Sequence, residues 1–491
     1  MTASHRLSPL LTPGSIALVG ASPRPGSVGD MMVRTLTAGG FPGELNLINP
    51  RYEQIGDQVC LKSLSALKRP PDLVVAATAS TRLEELFEEA IALGARAITV
   101  FDKCRGAAGN GQPLGERLRD LSQDADLPVC GGNAMGFLNL TDRCHISFYP
   151  AGHLKPGGIS LIAHSGSVFT VLALNDPRYR FDLLVSPGEE IGASIDEYIE
   201  FCLCRAQTKV IALFMESARN PDAFAKALER AAERSIPVVV CKVGRTSESA
   251  RLAKSHSGAL TGNDAAFQAL LKRFNAISVD TVDQLMDTAL LLSQGRSIGP
   301  GGPAFVTDSG GMRESLIDRA GSLDLKLGRF SAKTKAGLRR FLPESLPVSN
   351  PLDAAGPIVD GFSAPFRKSL QLIGKAEEIS ILGFEFDGRD DYLYDPELLK
   401  TAEDLAKMTD KPCFVYSSFS HANNRALADR LADLSLPLIN GLDNTLLALK
   451  HFHDWRDRRW VKRSKESAEL CGAQESVASW RDVLCTKGSL N

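Results

Sequence analysis

From Ser15 onward, short β-branched or aliphatic runs alternate with longer amphipathic stretches, a pattern that commits the chain to an α/β class with parallel sheets. The first run is Ser15–Val19, followed by a glycine loop from Gly20 to Gly29 and a helix through Met31 to Ala38. Leu45–Ile48, Leu73–Ala77, Ala97–Val100 and Pro128–Cys130 read as the next strands, with a helix over Thr81–Leu93. The pattern then resets at two turn-rich stretches, Tyr149–Gly158 and Ser297–Pro303. The segments entered after the two resets are alike: Gly157-Gly-Ile-Ser-Leu-Ile-Ala-His-Ser-Gly-Ser167 aligns without gaps on Gly301-Gly-Pro-Ala-Phe-Val-Thr-Asp-Ser-Gly-Gly311. Val210–Glu216 and Ile379–Asp387 echo each other too, so the middle and last thirds read as two copies of one doubly wound domain. The expected domains are therefore 1–145, 146–298 and 299–460, followed by a polar tail, 461–491. At roughly 150 residues per domain, the 491 residues fit that count.

Charge and cysteine usage narrow the function classes. With 56 Lys and Arg against 58 Asp and Glu, the net charge is -2, so no global positive field recommends nucleic acid or an anionic membrane. Any phosphate chemistry must be local. The ten cysteines form no C-x-x-C, the nearest pair being Cys202 and Cys204, which suggests neither a zinc framework nor disulfides. No metal ligand set is expected, and a cytoplasmic setting fits. Met1–Gly14 holds no apolar signal core, and no run approaches the roughly 18 apolar residues of a membrane span.

Two loops carry chemistry. Gly20-Ala-Ser-Pro-Arg-Pro-Gly-Ser-Val-Gly29 joins a strand to a helix, so main-chain N–H groups and the helix dipole converge where a phosphate can sit. The second strand ends in Asn49-Pro-Arg51 rather than in an acid, and a cation there suits a phosphorylated ribose, as in CoA or NADP, better than NAD. A structural glycine turn remains the alternative. Among eight histidines, only His256 lies in a loop of small residues before a helix, Lys254-Ser-His-Ser-Gly-Ala-Leu-Thr-Gly-Asn-Asp264. Ser257 and Gly258 leave room around the ring, and nearby amides can hold an oxyanion. Imidazole attacks a phosphoryl group when one nitrogen is free and the other is held by an acceptor. Glu216, at the end of the strand Val210–Met215, is the best candidate for that acceptor; a turn-capping histidine is the competing reading.

The His256 loop resembles the phosphohistidine loop of the NDP-forming (ADP-forming) acyl-CoA synthetases, the superfamily of succinyl-CoA synthetase. That loop reads approximately S-H-T-G-A-L-A-G; here it is Ser255-His-Ser-Gly-Ala-Leu-Thr-Gly262. The likeness extends over nearly all of the first 455 residues. It implies a Rossmann-like CoA-binding domain followed by two flavodoxin-like doubly wound domains. CoA contacts are then expected from Gly20, Ala21, Ser22, Val28, Gly29, Asn49, Pro50, Arg51 and Asn133. His256 would carry the phosphoryl group with Glu216 holding its second nitrogen, and the helix starts at Ser165, Gly166, Ser167 and at Ser309, Gly310, Gly311 would cradle phosphate along with Ser257 and Gly258. The implied reaction joins a carboxylic acid to CoA through acyl-phosphate and phosphohistidine intermediates.

Several segments depart from the family pattern. The loop usually written S-Q-S-G is Ala163-His-Ser-Gly166, which makes His164 a candidate contact for the substrate carboxylate or a plain structural histidine. S-x-G-N-E-A becomes Ser186-Pro-Gly-Glu-Glu-Ile191, setting Glu189 beside Glu190 where an anionic acid is expected. G-P-N-C-x-G becomes Gly131-Gly-Asn-Ala-Met-Gly136, and Phe101-Asp-Lys-Cys-Arg105 replaces a run of small residues. An ATP-grasp domain, on the order of 200 residues, has no room in the chain. ATP or GTP with Mg2+ is therefore expected on a separate ATP-grasp β-type subunit, in a hetero-oligomer or dimer. A non-catalytic CoA-binding regulator of the same architecture is the second reading, and an NADP-dependent oxidoreductase the third.

Overall fold

Runs such as Val238-Val-Val-Cys-Lys242, β-branched and buried on both faces, build the interiors of three sheets that are parallel at their centres. The computed structural model describes residues 5–151, 154–257, 263–354, 363–388, 395–421 and 424–458. The first sheet takes β1 (Ser15–Val19), β2 (Glu44–Ile48), β3 (Gln54–Ile55), β4 (Gln58–Leu61), β5 (Leu73–Ala76), β6 (Ile98–Val100) and β7 (Val129–Cys130) in the order β3-β4-β2-β1-β5-β6-β7. The strand order reverses at β1, so the loop after it opens at a switch point.

The second sheet contains β8 (Gly136–Asn139), β9 (Cys144–Ser147), β10 (Pro156–Ala163), β11 (Phe181–Ser186), β12 (Val210–Met215), β13 (Val238–Lys242) and β14 (Ile277–Val279). Its order is β14-β13-β12-β10-β11-β8-β9. The third holds β15 (Gly302–Thr307), β16 (Leu352–Asp353), β17 (Ile379–Glu385), β18 (Cys413–Ser417) and β19 (Leu438–Asn440) in the order β16-β15-β17-β18-β19. Number the parallel strands of either sheet along the chain and the order is the same, 2-1-3-4-5, the doubly wound topology that the aligned segments at 157 and 301 anticipate.

Two elements pack across the expected limits at 146 and 298. β8 and β9 join the second sheet as an antiparallel hairpin on β11, ahead of the limit at 146. A buried polar knot explains the attachment. Asp182 of β11, fully buried, accepts from Arg205 Nε at 2.6 Å and from the Thr141 hydroxyl, in the hairpin turn, at 2.6 Å, while Arg205 also reaches Asp142 at 2.8 Å. Further on, the chain divides into two compact units. One runs to Asn175 and resumes from Phe181 to Val279; the other takes Asp176–Arg180 and continues from Asp280. Within the second unit, Arg178 pairs with Asp176 at 2.6 Å and with the buried Asp287 at 3.2 Å, and the helix Val282–Leu292 packs on the helix Leu442–Asp457. That helix therefore belongs with the last third, although it precedes the turn at 297–303.

Helix starts follow the sequence closely. Ser27, Asn220, Asn263, Thr281, Ser309, Ser331 and Asn424 each accept a main-chain N–H from the first turn. At the helix Ala332–Arg339, Glu378 adds a second layer by accepting from the Ser331 N–H and the Thr334 hydroxyl, both at 2.7 Å. Partial burial pushes this carboxyl up, but those donors outweigh it and bring it down to about 2. A depressed carboxylate stabilises above its ordinary 4.5 and loses that contribution as pH falls towards 2. Glu378→Gln is thus expected to cost about 1 kcal/mol at neutral pH. The gap in melting temperature to the parent should close as pH approaches 2; a gap that persists there would sink the assignment.

Candidate functional site

The first candidate site is built by the loop between β1 and the helix Val28–Gly39. Gly20 has φ +90, and a Cβ on it would stand 2.3 Å from the Ala77 carbonyl oxygen. A Cβ on Gly29 would stand 2.0 Å from the Gly20 carbonyl oxygen. Only glycine permits this closeness. The loop is clasped from three sides: Asn49 Nδ2 donates to the Ala21 carbonyl at 2.8 Å, Asp30 Oδ2 accepts from the Gly26 N–H at 3.0 Å, and the Ser27 hydroxyl donates to the Arg24 carbonyl at 2.8 Å.

Beneath the loop lies a cavity of about 690 Å3, within the range of cofactor and ligand pockets. Its lining includes Gly20, Ser22, Val28, Gly29, Asn49, Pro50 and Arg51, seven of the nine expected CoA contacts. Ala21 is buried behind the loop, and Asn133 is not itself in the lining, although its N–H donates at 2.7 Å to the carbonyl of Asp102, which is. Arg24, Lys62 and Arg82 line the cavity as well, joining Arg51 as a set of cations with no carboxylate partner among the described residues. Lys62 is held by the Tyr52 carbonyl at 3.3 Å. Glu85, Glu89 and Asp102 line it too, and the Phe101 ring is tilted against that of Phe148 with 4.8 Å between ring centroids. Sequence reasoning missed Lys62, Arg24 and Arg82. The signal for the loop clasp was present, since Ser27-x-x-Asp30 is a helix-start pattern.

The second candidate site lies where β10, β11 and β12 end. Ser165 precedes the helix Gly166–Asn175, and its hydroxyl accepts from the Val168 N–H at 3.4 Å. A Cβ on Gly166 would stand 2.8 Å from Met135 Cε, so Met135 covers this helix start. Ser167 is exposed there. His164, nearly buried, occupies the centre: Nε2 is 3.1 Å from Glu190 Oε1, and Nδ1 is 3.2 Å from the Glu216 main-chain nitrogen. Glu190 also accepts from the Ile195 N–H at 2.8 Å and lies 3.4 Å from Arg219 Nε. The expected clash between Glu189 and Glu190 is therefore removed on one side, because Glu190 is turned inward and neutralised by donors. Arg219 additionally holds the Glu189 carbonyl at 2.6 Å. His164 makes no free donor available to a substrate carboxylate.

His256 falls in the last turn of the helix Ser247–Ser257, where a loop of small residues was expected. Reciprocal bonds between Thr246 and Ser249 start that helix, Thr246 N to Ser249 Oγ and Ser249 N to Thr246 Oγ1, both 3.2 Å. The His256 and Ser257 side chains, and Gly258, lie outside the described residues. Glu216 is placed at the end of β12, on the same sheet edge from which the chain enters that helix after β13.

The third candidate, the start of the helix Gly310–Ser322, has a different electrostatic character. Ser309 caps it through the Met312 N–H at 3.4 Å, and Gly310 and Gly311 form its first turn. Glu385 bonds to the Thr307 and Ser418 hydroxyls, and Asp387 accepts from the Ser418 N–H at 2.8 Å. Burial raises the carboxyls of Asp308 and Glu385; repulsion from Asp387 adds to both, and from Asp353 to Asp308. So acidic a setting opposes a phosphate at this second helix start. Among the described residues, no group of His, Cys, Asp and Glu has the arrangement of a metal site, and no helix is long and apolar enough to cross a membrane.

Residues 14–139 match the family described as a CoA binding domain, and residues 156–292 match the succinyl-CoA ligase like flavodoxin domain. The chain is 27% identical over 354 residues to an acetate-CoA ligase (ADP-forming) of Methanocaldococcus jannaschii, covering 72% of this chain and 49% of that one. It is 23% identical over 344 residues to the α subunit of an acetate-CoA ligase (ADP-forming) II of Pyrococcus furiosus, covering 70% and 74%. The chain thus spans about half the length of the M. jannaschii relative and about three quarters of the α subunit. Its fold matches the dinucleotide forming acetyl-coenzyme A synthetase 1 of Ca. Korarchaeum cryptofilum, solved with phosphate and ADP, at a TM-score of 0.80 and 20% identity over 92% of this chain and 97% of that one.

Proposed function

Because this chain joins a CoA binding domain to a succinyl-CoA ligase-like flavodoxin domain, and has ADP-forming acetate-CoA ligases among its homologues, we propose that it is the α-type part of an acid-CoA ligase. The glycine loop carries the reading: its main chain closes to within a Cβ of itself above a cavity ringed by Arg24, Arg51, Lys62 and Arg82. Such a pocket suits the phosphorylated nucleotide end of CoA, with cations for the phosphates and the helix start of Val28–Gly39 adding its dipole.

In the direction of ligation, an acyl phosphate gives its acyl group to the CoA thiol and phosphate leaves. In the phosphoryl half that comes before it, the His256 imidazole takes the γ-phosphoryl group of ATP as ADP leaves, with Glu216 as the acceptor that holds its other nitrogen, and passes it to the substrate carboxylate to form that acyl phosphate. Ser165, Gly166 and Ser167 present a helix start to phosphate, and Ser257 and Gly258 frame the ring. Of the two helix starts, the one at Ser165 is favoured, since Asp308 directly precedes the start formed by Ser309, Gly310 and Gly311, and Asp353 stands close to Gly310. Nucleotide and Mg2+ would be handled by an ATP-grasp partner, as a separate subunit. A CoA-binding regulator of the same architecture is the reading it competes with.

Isothermal titration of the isolated chain with CoA is expected to show one site. With acetate, CoA and ATP-Mg2+, the same chain should form no acyl-CoA until an ATP-grasp subunit is added. Ligation by the chain alone would overturn the division of labour, and failure to bind CoA would overturn the reading as a whole.

A further inference from the structure

The hydrogen bonds around His164 point to one tautomer of its ring. Its Nδ1 faces a main-chain N–H, that of Glu216 at 3.2 Å, and a peptide N–H can only donate, so Nδ1 must keep its lone pair. Its Nε2 faces Glu190 Oε1 at 3.1 Å, an oxygen that already accepts from the Ile195 N–H, so Nε2 must carry the proton. The ring is therefore the neutral Nε2–H tautomer. One donor at one end and one acceptor at the other is also the endowment of a side-chain amide.

We propose that His164 is a positioning residue doing the work of an amide: it ties the Glu216 main chain to the start of the helix Gly166–Asn175, anchored by Glu190, and so sets where the Glu216 carboxylate stands. This rests on the role given to Glu216 above. Four segments meet at the ring: the end of β10, which carries His164; the turn after β11, which carries Glu190; the start of the helix Ile195–Leu203; and the end of β12, which carries Glu216.

The test uses acetyl phosphate labelled at phosphorus. Attack by His256 breaks the bond between phosphorus and the acyl oxygen, acetate leaves, and the label stays on the chain. His164→Gln is expected to label within about fivefold of the parent, since donor and acceptor are both retained. His164→Ala should be slower by about a hundredfold, the cost of a misplaced reacting group. Equal rates in the parent and His164→Ala would overturn the proposal. Long-range proton–nitrogen NMR of the parent reads the tautomer without any activity: Nε2–H is expected, and Nδ1–H would refute the assignment. A parent that takes no label would count against the proposed phosphoryl chemistry, while the NMR result would still decide what His164 does.

Discussion

His256→Ala, supplied with an ATP-grasp partner and labelled ATP, is expected to carry no acid-labile, base-stable phosphoryl label and to lose ligation by roughly four to six orders of magnitude. The reason is the chemistry of the step: no other nitrogen is proposed to accept the phosphoryl group, and the adjacent Ser255 and Ser257 offer only hydroxyls, which give acid-stable esters. CoA binding should survive unchanged, because every residue lining the cavity under the glycine loop lies between Val19 and Phe148. That combination, binding kept and labelling lost, separates the enzyme reading from the regulatory one. A regulator would bind CoA and carry no label even in the parent. A label that persisted in His256→Ala would remove the central residue of the mechanism.

How far the sequence led depends on the range of the interaction concerned. Strand-scale patterns were legible because β-branched runs bury on both faces wherever they pair. The duplication was legible too: the segments starting at 157 and 301 align by residue, and both sheets turn out to have the same parallel strand order. Long-range pairing was not. The hairpin of β8 and β9 consists of two four-residue strands whose place is decided by β11 and by the Asp182–Arg205 knot, which local pattern does not report. Likewise the helix Val282–Leu292 is claimed for the last third by its packing on the helix Leu442–Asp457, far along the chain.

The candidate sites divide the same way. The glycine loop could be read because a strand, a turn and a helix are contiguous. Arg24 lay inside that segment and was passed over; Lys62 and Arg82 join Arg51 only after folding. Glu189 and Glu190 read as a repulsive pair along the chain, yet Glu190 is buried against His164, Ile195 and Arg219, whose donors come from three other segments. Adjacent charges in sequence do not make an anionic surface when one of them is turned into a network of donors.

Gly29→Ala is expected to weaken CoA binding by at least about a hundredfold, the scale on which a displaced binding group costs. The added methyl would lie 2.0 Å from the Gly20 carbonyl oxygen and 2.9 Å from the Ser22 nitrogen, both main-chain atoms that cannot rotate away as a side chain can. Nor can the loop recede. Gly20 donates its N–H to the Ile48 carbonyl at 2.9 Å, and a Cβ on Gly20 itself would be 2.3 Å from the Ala77 carbonyl oxygen, so the loop is already pressed on the neighbouring strand. Relief must come from the start of the helix Val28–Gly39, whose first turn would have to move off the loop. That motion withdraws the helix N–H groups and dipole from the cavity, and phosphate affinity goes with them. Circular dichroism should show the sheet content preserved while titration with CoA shows little heat. Gly26→Ala provides the contrast: it lies in the same loop with φ +76, but nothing stands within 4 Å of its Cβ direction, so only backbone strain of about 1 kcal/mol is added and binding should weaken by less than about tenfold. If the two variants bound CoA equally, the close approach of Gly29 to Gly20 would not be what shapes the pocket.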